Sequence, residues 1–542
     1  MRINLAVLIS LSALTTQALA QTTPPVWTTP PQVTVGANLK ELVFDWEPVP
    51  GAVLYRILLK TTANPREYYA PIGERLRQTR AAVPISVYQQ LWETTRYIVQ
   101  ACNPAGCTRS AEVFPRDLML DTIGYFKASN TEANDGFGRQ VAASADGSTI
   151  AVSASGESSN ATGVNGNQTN NSAPNSGAVY VYRRNGRNWA QEAYLKPPDV
   201  QAGGRFGAGS PYRLRTLELS ANGSRLLVGA PASAVSGLAN AGRAYLFQRD
   251  SANNWSIGLE LRAPVSAAND YFGYSVDLAS DGNMLKVNSL LPIHSTGEAE
   301  GRTHLWIHNG STWTYQLAPQ YGGDLCRSTR LSADGRTLVS YCLSTTEGGA
   351  RVTTMRRQAD NTWRFEPDIR VDWVAGAPRM AITYSASWLA VTEGQYIRMY
   401  RWDGPRWVLD VSILPWTVSD GPGEGGWGEA LEFSRHGEFL AIGDPSARIF
   451  GAGVSDPMIG SERDGAVVIY KHRPDSIPQW YSFKTVKAPN PSADDAFGTS
   501  VAFGGTGWYL AIAAPQEDSA ARGVDGDQTS ETATDSGAVY LY

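Results

Sequence analysis

Two stretches of this 542-residue chain are near-copies of each other. Residues 134–182 align without a gap on residues 494–542, with about half of the positions identical. Asp135-Gly136-Phe137-Gly138 meets Asp495-Ala496-Phe497-Gly498, and Ser176-Gly177-Ala178-Val179-Tyr180 meets Ser536-Gly537-Ala538-Val539-Tyr540. A repeat at both ends of a long segment directs attention to weaker copies between them.

Three markers recur in order. The first is Phe-Gly, at 137–138, 206–207, 272–273 and 497–498, with Trp427-Gly428 as a variant. The second is a tight turn before an apolar run, as in Ser144 to Gly147 before Ile150, Ser332 to Gly335 before Leu338, and Ser434 to Gly437 before Phe439. The third is an aromatic strand followed by a Trp: Tyr180-Val181-Tyr182 before Trp189, Tyr245 before Trp255, His304 before Trp313, Tyr400 before Trp407 and Tyr470 before Trp480. Asp-Gly and Asn-Gly favour hairpins because the backbone there needs positive φ. Each unit therefore reads as four short antiparallel strands, the pattern of a propeller blade. Units start near residues 122, 194, 261, 318, 370, 414 and 486, and the fourth and fifth lack Phe-Gly. The last unit ends at Tyr540-Leu541-Tyr542, one strand short, and Thr122 to Lys127 resembles the missing strand. The expectation is an all-β chain whose residues 118–542 form a seven-bladed β-propeller, closed by pairing of its N- and C-terminal strands so that no open sheet edge remains.

Upstream, strands are expected around Leu42 to Trp46, Tyr55 to Leu59 and Tyr97 to Ala101, separated by turns at Pro48 to Gly51 and Asn103 to Gly106. Short strands with turns between them suggest a small antiparallel sandwich over residues 33–117. Trp46, Leu91 with Tyr97, and the run from Tyr97 to Cys107 resemble a fibronectin type III domain. That resemblance implies a spacer or binding module.

Phe206-Gly207 followed by Gly229-Ala230-Pro231 resembles the FG-GAP signature, and the full unit is similar to the bacterial FG-GAP, or integrin-alpha-like, propeller repeat. The resemblance implies a secreted or surface, non-catalytic recognition or adhesion protein that binds a protein or glycan through propeller loops. The alternatives are a structural envelope or matrix component and a polysaccharide-acting enzyme. Inward-facing carboxylate pairs around the channel would favour the enzyme. No catalytic residue is assigned, the ligand is unnamed, and a monomer is expected.

Arg2, the apolar run Leu5 to Leu14 and Ala18-Leu19-Ala20 read as a secretory signal over residues 1–20. Residues 21–32 read as a linker. The net charge of -5 gives no invitation to nucleic acid, and no later apolar run reaches membrane-spanning length. A periplasmic, surface or extracellular location follows. In that oxidising setting Cys102 and Cys107 flank one turn sequence and Cys326 and Cys342 another, so each pair is expected to form a disulfide. The loop of the last unit is acidic, with Glu517, Asp518, Asp525, Asp527, Glu531 and Asp535. Oxygen ligands on a Gly-containing loop suit calcium, with Asp525, Asp527 and Asp535 as the candidate ligands. The alternative is a solvated loop that uses Asn, Asp and Gly for its turns.

Overall fold

The computed structural model describes residues 29–61, 68–208, 214–291, 300–319, 325–344, 348–372, 378–415, 426–449, 451–455 and 459–542. The signal segment and most of the linker lie outside them. The chain is all-β, its only helical pieces among these residues being four short 3₁₀ turns. It divides into two compact units. The first holds the described residues up to 36 together with 43–83 and 93–115; the second holds 37–42, 84–92 and 116–542.

The N-terminal part carries two antiparallel sheets. One joins Val33–Asn38, Glu41–Trp46 and Arg80–Pro84; the other joins Ala70–Leu76, Leu54–Lys60, Arg96–Asn103 and Gly106–Arg109. The expected strands are all present. Trp46 is buried against Tyr55, and Phe44 against Tyr97. Cys102 stands directly opposite Cys107 across the last hairpin, and the two are bonded.

In the second unit the described residues form seven sheets of at least four strands, in a propeller-like series. The innermost strands are Phe137–Ala143, Leu217–Leu219, Ser275–Leu278, Leu325–Leu331, Met380–Ile382, Ala430–Phe433 and Ser500–Gly504. Each neighbours the next, and the last neighbours the first. The sixth sheet gains Gly453–Ser455 as an extra edge strand beside Trp480–Lys487, which the repeat pattern does not foretell. The seventh is completed from the far end of the unit: Gly124–Phe126 pairs with Val539, Tyr540 and Leu541, as the missing-strand argument requires.

Period-two alternation explains the core. Ile150 and Val152 pack with Tyr509, Ala511 and Ala513 of the seventh sheet, whereas Ala151 between them packs with Leu217, Leu226 and Val228 of the second. Both faces of a middle strand are therefore buried, and the strand reads as a continuous apolar run. The tryptophans fill the same layers: Trp480 meets Trp388 of the fifth sheet, and Trp255 donates to Glu192 of the first at 2.9 Å.

Phe-Gly is the joint between sheets. The Phe137 N–H donates to Ser536 O at 2.9 Å, that of Phe206 to Ser176 O at 2.9 Å, and that of Phe272 to Ala241 O at 3.1 Å. Each acceptor is followed by a glycine in a left-handed conformation lying against the phenylalanine backbone. Where Phe-Gly is missing, the fourth sheet has the Cys326–Cys342 disulfide, which ties the start of its innermost strand to the second strand. At the opposite end, successive hairpin turns touch through backbone hydrogen bonds: Thr506 N to Ala145 O, Asp146 N to Ala221 O, Ala221 N to Ser280 O, Ser280 N to Ala333 O and Asp334 N to Tyr384 O, at 2.7 to 3.1 Å.

The joint gives a test. A Cβ on Gly537 would stand 2.0 Å from Phe137 O, and one on Gly177 would stand 2.5 Å from both Phe206 N and O. Gly537→Ala and Gly177→Ala should each cost about 3 kcal/mol or more. Gly186→Ala is the control. Gly186 shares a positive φ of 61° but has open space around it, so roughly 1 kcal/mol is expected there. Urea unfolding midpoints decide it; equal costs at all three positions would remove the joint from the account.

Candidate functional site

The axis of the second unit is polar where a core would be apolar. Arg215 of the second sheet reaches Glu218 at 2.7 Å and also contacts Glu432 of the sixth. Asp277 of the third sheet receives Lys286 at 3.0 Å and Arg330 of the fourth at 2.9 Å. Arg379 before the fifth sheet reaches Glu429 of the sixth at 3.0 Å. Burial pushes the Lys286 ammonium down to about 8 against the pull of Asp277. Burial also raises Glu218, opposed by Arg215. Asp277, despite its burial, is held below the usual carboxylate range by Arg330 and Lys286. Carboxylates from several sheets thus converge on the axis, but each is matched by a cation. The open space beside them is ≈ 100 Å³ toward the hairpin turns and ≈ 60 Å³ toward the strand starts. Both fall well below the roughly 300 Å³ at which sites for drug-sized ligands begin. Among the described residues the axis is a neutralised hub.

At the strand-start end, loops 155–177 of the first sheet and 515–537 of the seventh stand on neighbouring sheets. Each has 23 residues without a regular strand or helix, longer than most connections in compact domains. Each is bolted from below by the same network. Lys196 Nζ donates to Glu157 Oε2 and Ser176 Oγ, both at 2.7 Å, and Tyr194 OH donates to Glu157 Oε1 at 2.7 Å. In the seventh sheet Lys127 Nζ donates to Glu517 Oε2 and Ser536 Oγ at 2.7 Å, and Tyr125 OH to Glu517 Oε1 at 2.6 Å. All four charged side chains are at most 3% exposed. Removing one partner of such a pair strands a buried charge and costs about 3–5 kcal/mol, so each loop is fixed to the core. Outward-facing residues are polar: Asn165, Asn167, Thr169 and Asn171 in one loop, Asp525, Asp527, Thr529 and Glu531 in the other.

Each of the candidate calcium ligands accepts a hydrogen bond within the protein. Asp525 Oδ1 accepts from Tyr125 N at 3.1 Å, as Asn165 Oδ1 accepts from Tyr194 N at 2.8 Å. Asp527 Oδ1 accepts from Thr529 N at 2.9 Å, as Asn167 accepts from Thr169 N at 3.0 Å. Asp535 Oδ1 takes Gln516 Nε2 at 3.3 Å, while its own N–H goes to Asp518 Oδ1 at 2.8 Å. Amide and carboxylate do the same work in the two loops, which explains the Asn–Asp exchange between the copies. Among the described residues no three His, Cys, Asp or Glu side chains group to hold a metal. Glu517 belongs to the core pair rather than to an acidic rim. His304 occupies the position of the aromatic that stacks on Phe-Gly. It packs on Phe272 between Ser289 and Tyr315, and burial holds it down to about 4. His294 lies outside the described residues. No helix among them is long and apolar enough to cross a membrane.

No protein-family model matches the chain, and no curated protein does. Many solved structures do. The periplasmic gluconolactonase PpgL of Pseudomonas aeruginosa is 12% identical, with a TM-score of 0.41 over 81% of this chain and 98% of that one. A Bacteroides uniformis protein assigned as a 6-phosphogluconolactonase is 9% identical, with a TM-score of 0.40 over 81% of this chain and 98% of that one. Sqt1 of Chaetomium thermophilum is 14% identical, with a TM-score of 0.39 over 75% and 86%. The expectation that this chain is not an enzyme is corrected by these matches: proteins named as lactonases stand among them, so the likeness of form does not exclude catalysis.

Two buried carboxyls beside the loop networks set a pH test. Burial pushes Asp135 up to about 7 and Asp495 up to about 8, each opposed by one backbone N–H, that of Glu132 and that of Ser492. In the unfolded chain both ionise near pH 3.9. Folding is therefore favoured by the protonated groups at low pH, and that contribution is lost as pH rises from about 4 to about 8. The double variant Asp135→Asn with Asp495→Asn should melt higher than the native chain at pH 8.5, with a gap that closes toward pH 4. A gap independent of pH would show that neither carboxyl is perturbed.

Proposed function

We propose that this chain is an extracellular recognition protein of FG-GAP type: a fibronectin type III-like module followed by a seven-bladed propeller, which binds a glycan or a protein through the face carrying the twin loops. Long loops without secondary structure are mostly either functional or disordered, and these two are clamped by buried ion pairs. That clamping is the observation carrying the reading, since pre-ordered polar loops bind without a large ordering cost. The three-stranded and four-stranded N-terminal sheets support the module assignment, and the Phe-Gly joints support the repeat family. The two disulfides agree with an oxidising compartment and with removal of residues 1–20 as a secretory signal.

A hydrolytic reading draws on the axial carboxylates Glu218 and Glu432, which share Arg215. One experiment separates the two. The intact secreted chain is screened on glycan and extracellular-protein arrays and assayed on gluconolactone. Asn167→Ala with Thr169→Ala, and Asp527→Ala with Thr529→Ala, should each weaken the array ligand at least tenfold, with melting temperatures within a few degrees. Turnover of the lactone lost in Glu432→Gln would establish hydrolysis in place of recognition. Array binding indifferent to both loop variants would remove the loops as the binding surface.

A further inference from the structure

In each of the two loop networks a lysine amine touches a glutamate carboxyl inside the core, and the other donors are set around that carboxyl. Glu517 Oε1 accepts from Tyr125 OH at 2.6 Å, while its Oε2 accepts from Lys127 Nζ at 2.7 Å and from Ser519 N at 3.1 Å. Glu157 repeats the arrangement. Its Oε1 accepts from Tyr194 OH at 2.7 Å and from Asn130 Nδ2 at 3.2 Å, and its Oε2 accepts from Lys196 Nζ at 2.7 Å. Both lysine side chains are fully buried. With Oε2 at 2.7 Å, the carboxyl carbon is one bond farther from Nζ, close to the about 3–3.5 Å of a near-attack contact. Burial lowers both lysines against the pull of their glutamates, which favours the neutral amine. A buried aspartic acid lies within electrostatic reach of each pair, Asp495 beside Lys127 and Glu517, Asp135 beside Lys196 and Glu157. An amine and a carboxyl group held in contact away from water are the reactants of an amide.

We infer that these pairs condense into two isopeptide bonds, Lys127–Glu517 and Lys196–Glu157. The step balances without an oxidant or a co-reactant. One Nζ proton passes along its hydrogen bond to Oε2, leaving a neutral amine and a carboxylic acid. The Nζ lone pair attacks Cδ, and the Tyr125 or Tyr194 hydroxyl stabilises the charge that develops on Oε1. A second Nζ proton then moves to Oε2, the Cδ–Oε2 bond breaks, and one water leaves. The first bond ties Lys127, directly after the closing strand Gly124–Phe126, to the seventh sheet across 390 residues of sequence. It closes the chain covalently where strand pairing alone would close it by hydrogen bonds. The second bond fixes the loop of the first sheet to its own outer strand.

Intact-mass spectrometry of the full chain tests this. With the disulfides reduced, the protein should weigh two waters less than its sequence predicts from the measured N-terminus. Digestion should give branched peptides joining Lys127 to Glu517 and Lys196 to Glu157. Lys127→Arg and Lys196→Arg keep the positive charge but offer no amine to condense, so each should restore one water and abolish only its own branched peptide. Melting curves guard against misfolding in these variants. A native mass equal to that of the sequence, with each lysine and glutamate in separate linear peptides, overturns the inference without any variant. A deficit that persists in both arginine variants overturns it as well, because the water is then lost elsewhere.

Discussion

Everything in the larger unit depends on backbone meeting backbone between one sheet and the next. The phenylalanine of Phe-Gly donates its N–H to the residue before a glycine of the preceding sheet, and only a residue without Cβ fits against it. Side-chain burial holds the layers together, but it is non-directional. The joint fixes angle and register, because a shift of one position would turn every core side chain away from its layer. The sheets with the joint are those whose units repeat most clearly. In the fourth, a covalent bridge ties the corresponding part of the innermost strand.

The polar interior follows from the same geometry. Innermost strands packed around an axis leave room that apolar side chains from all of them do not fill. Arg215, Arg330 and Lys286 occupy it with their carboxylates. Ion pairs of this kind are weak evidence for stability. Their structural effect is to fill much of the axis among the described residues with matched charge.

Much of this was legible in the sequence, because local repetition carries it. The Phe-Gly positions, the Ser-Ala-Asp-Gly turns, both cysteine pairs and the closing strand are read from neighbours in sequence or from equivalence between copies. What escaped were contacts between residues with no local mark. Lys127 and Glu517 are 390 positions apart, and Glu517 sits among acidic residues that look like a solvated rim. The signal was there in the copies: Tyr-x-Lys before one Phe-Gly matches Tyr-x-Lys before the next, and a Glu follows the second strand in both units. The axial charges left no such trace, since a single inward charged residue on or beside a short strand resembles an edge residue. Segments 37–42 and 84–92, which belong with the larger unit, likewise carry no period that assigns them there.

The closing strand has a consequence for the order of events in the life of the chain. Tyr125 hydrogen-bonds Asp525 across 400 residues of sequence, and Gly124–Phe126 has no sheet to join until Ala538–Leu541 is in place. During synthesis, middle sheets can form and stack while that first strand waits as an unpaired edge. The ring is therefore completed only when the far end arrives. A polypeptide assembled this way stays topologically open while it is being made, and the finished, rigid form waits until Ala538–Leu541 has been added.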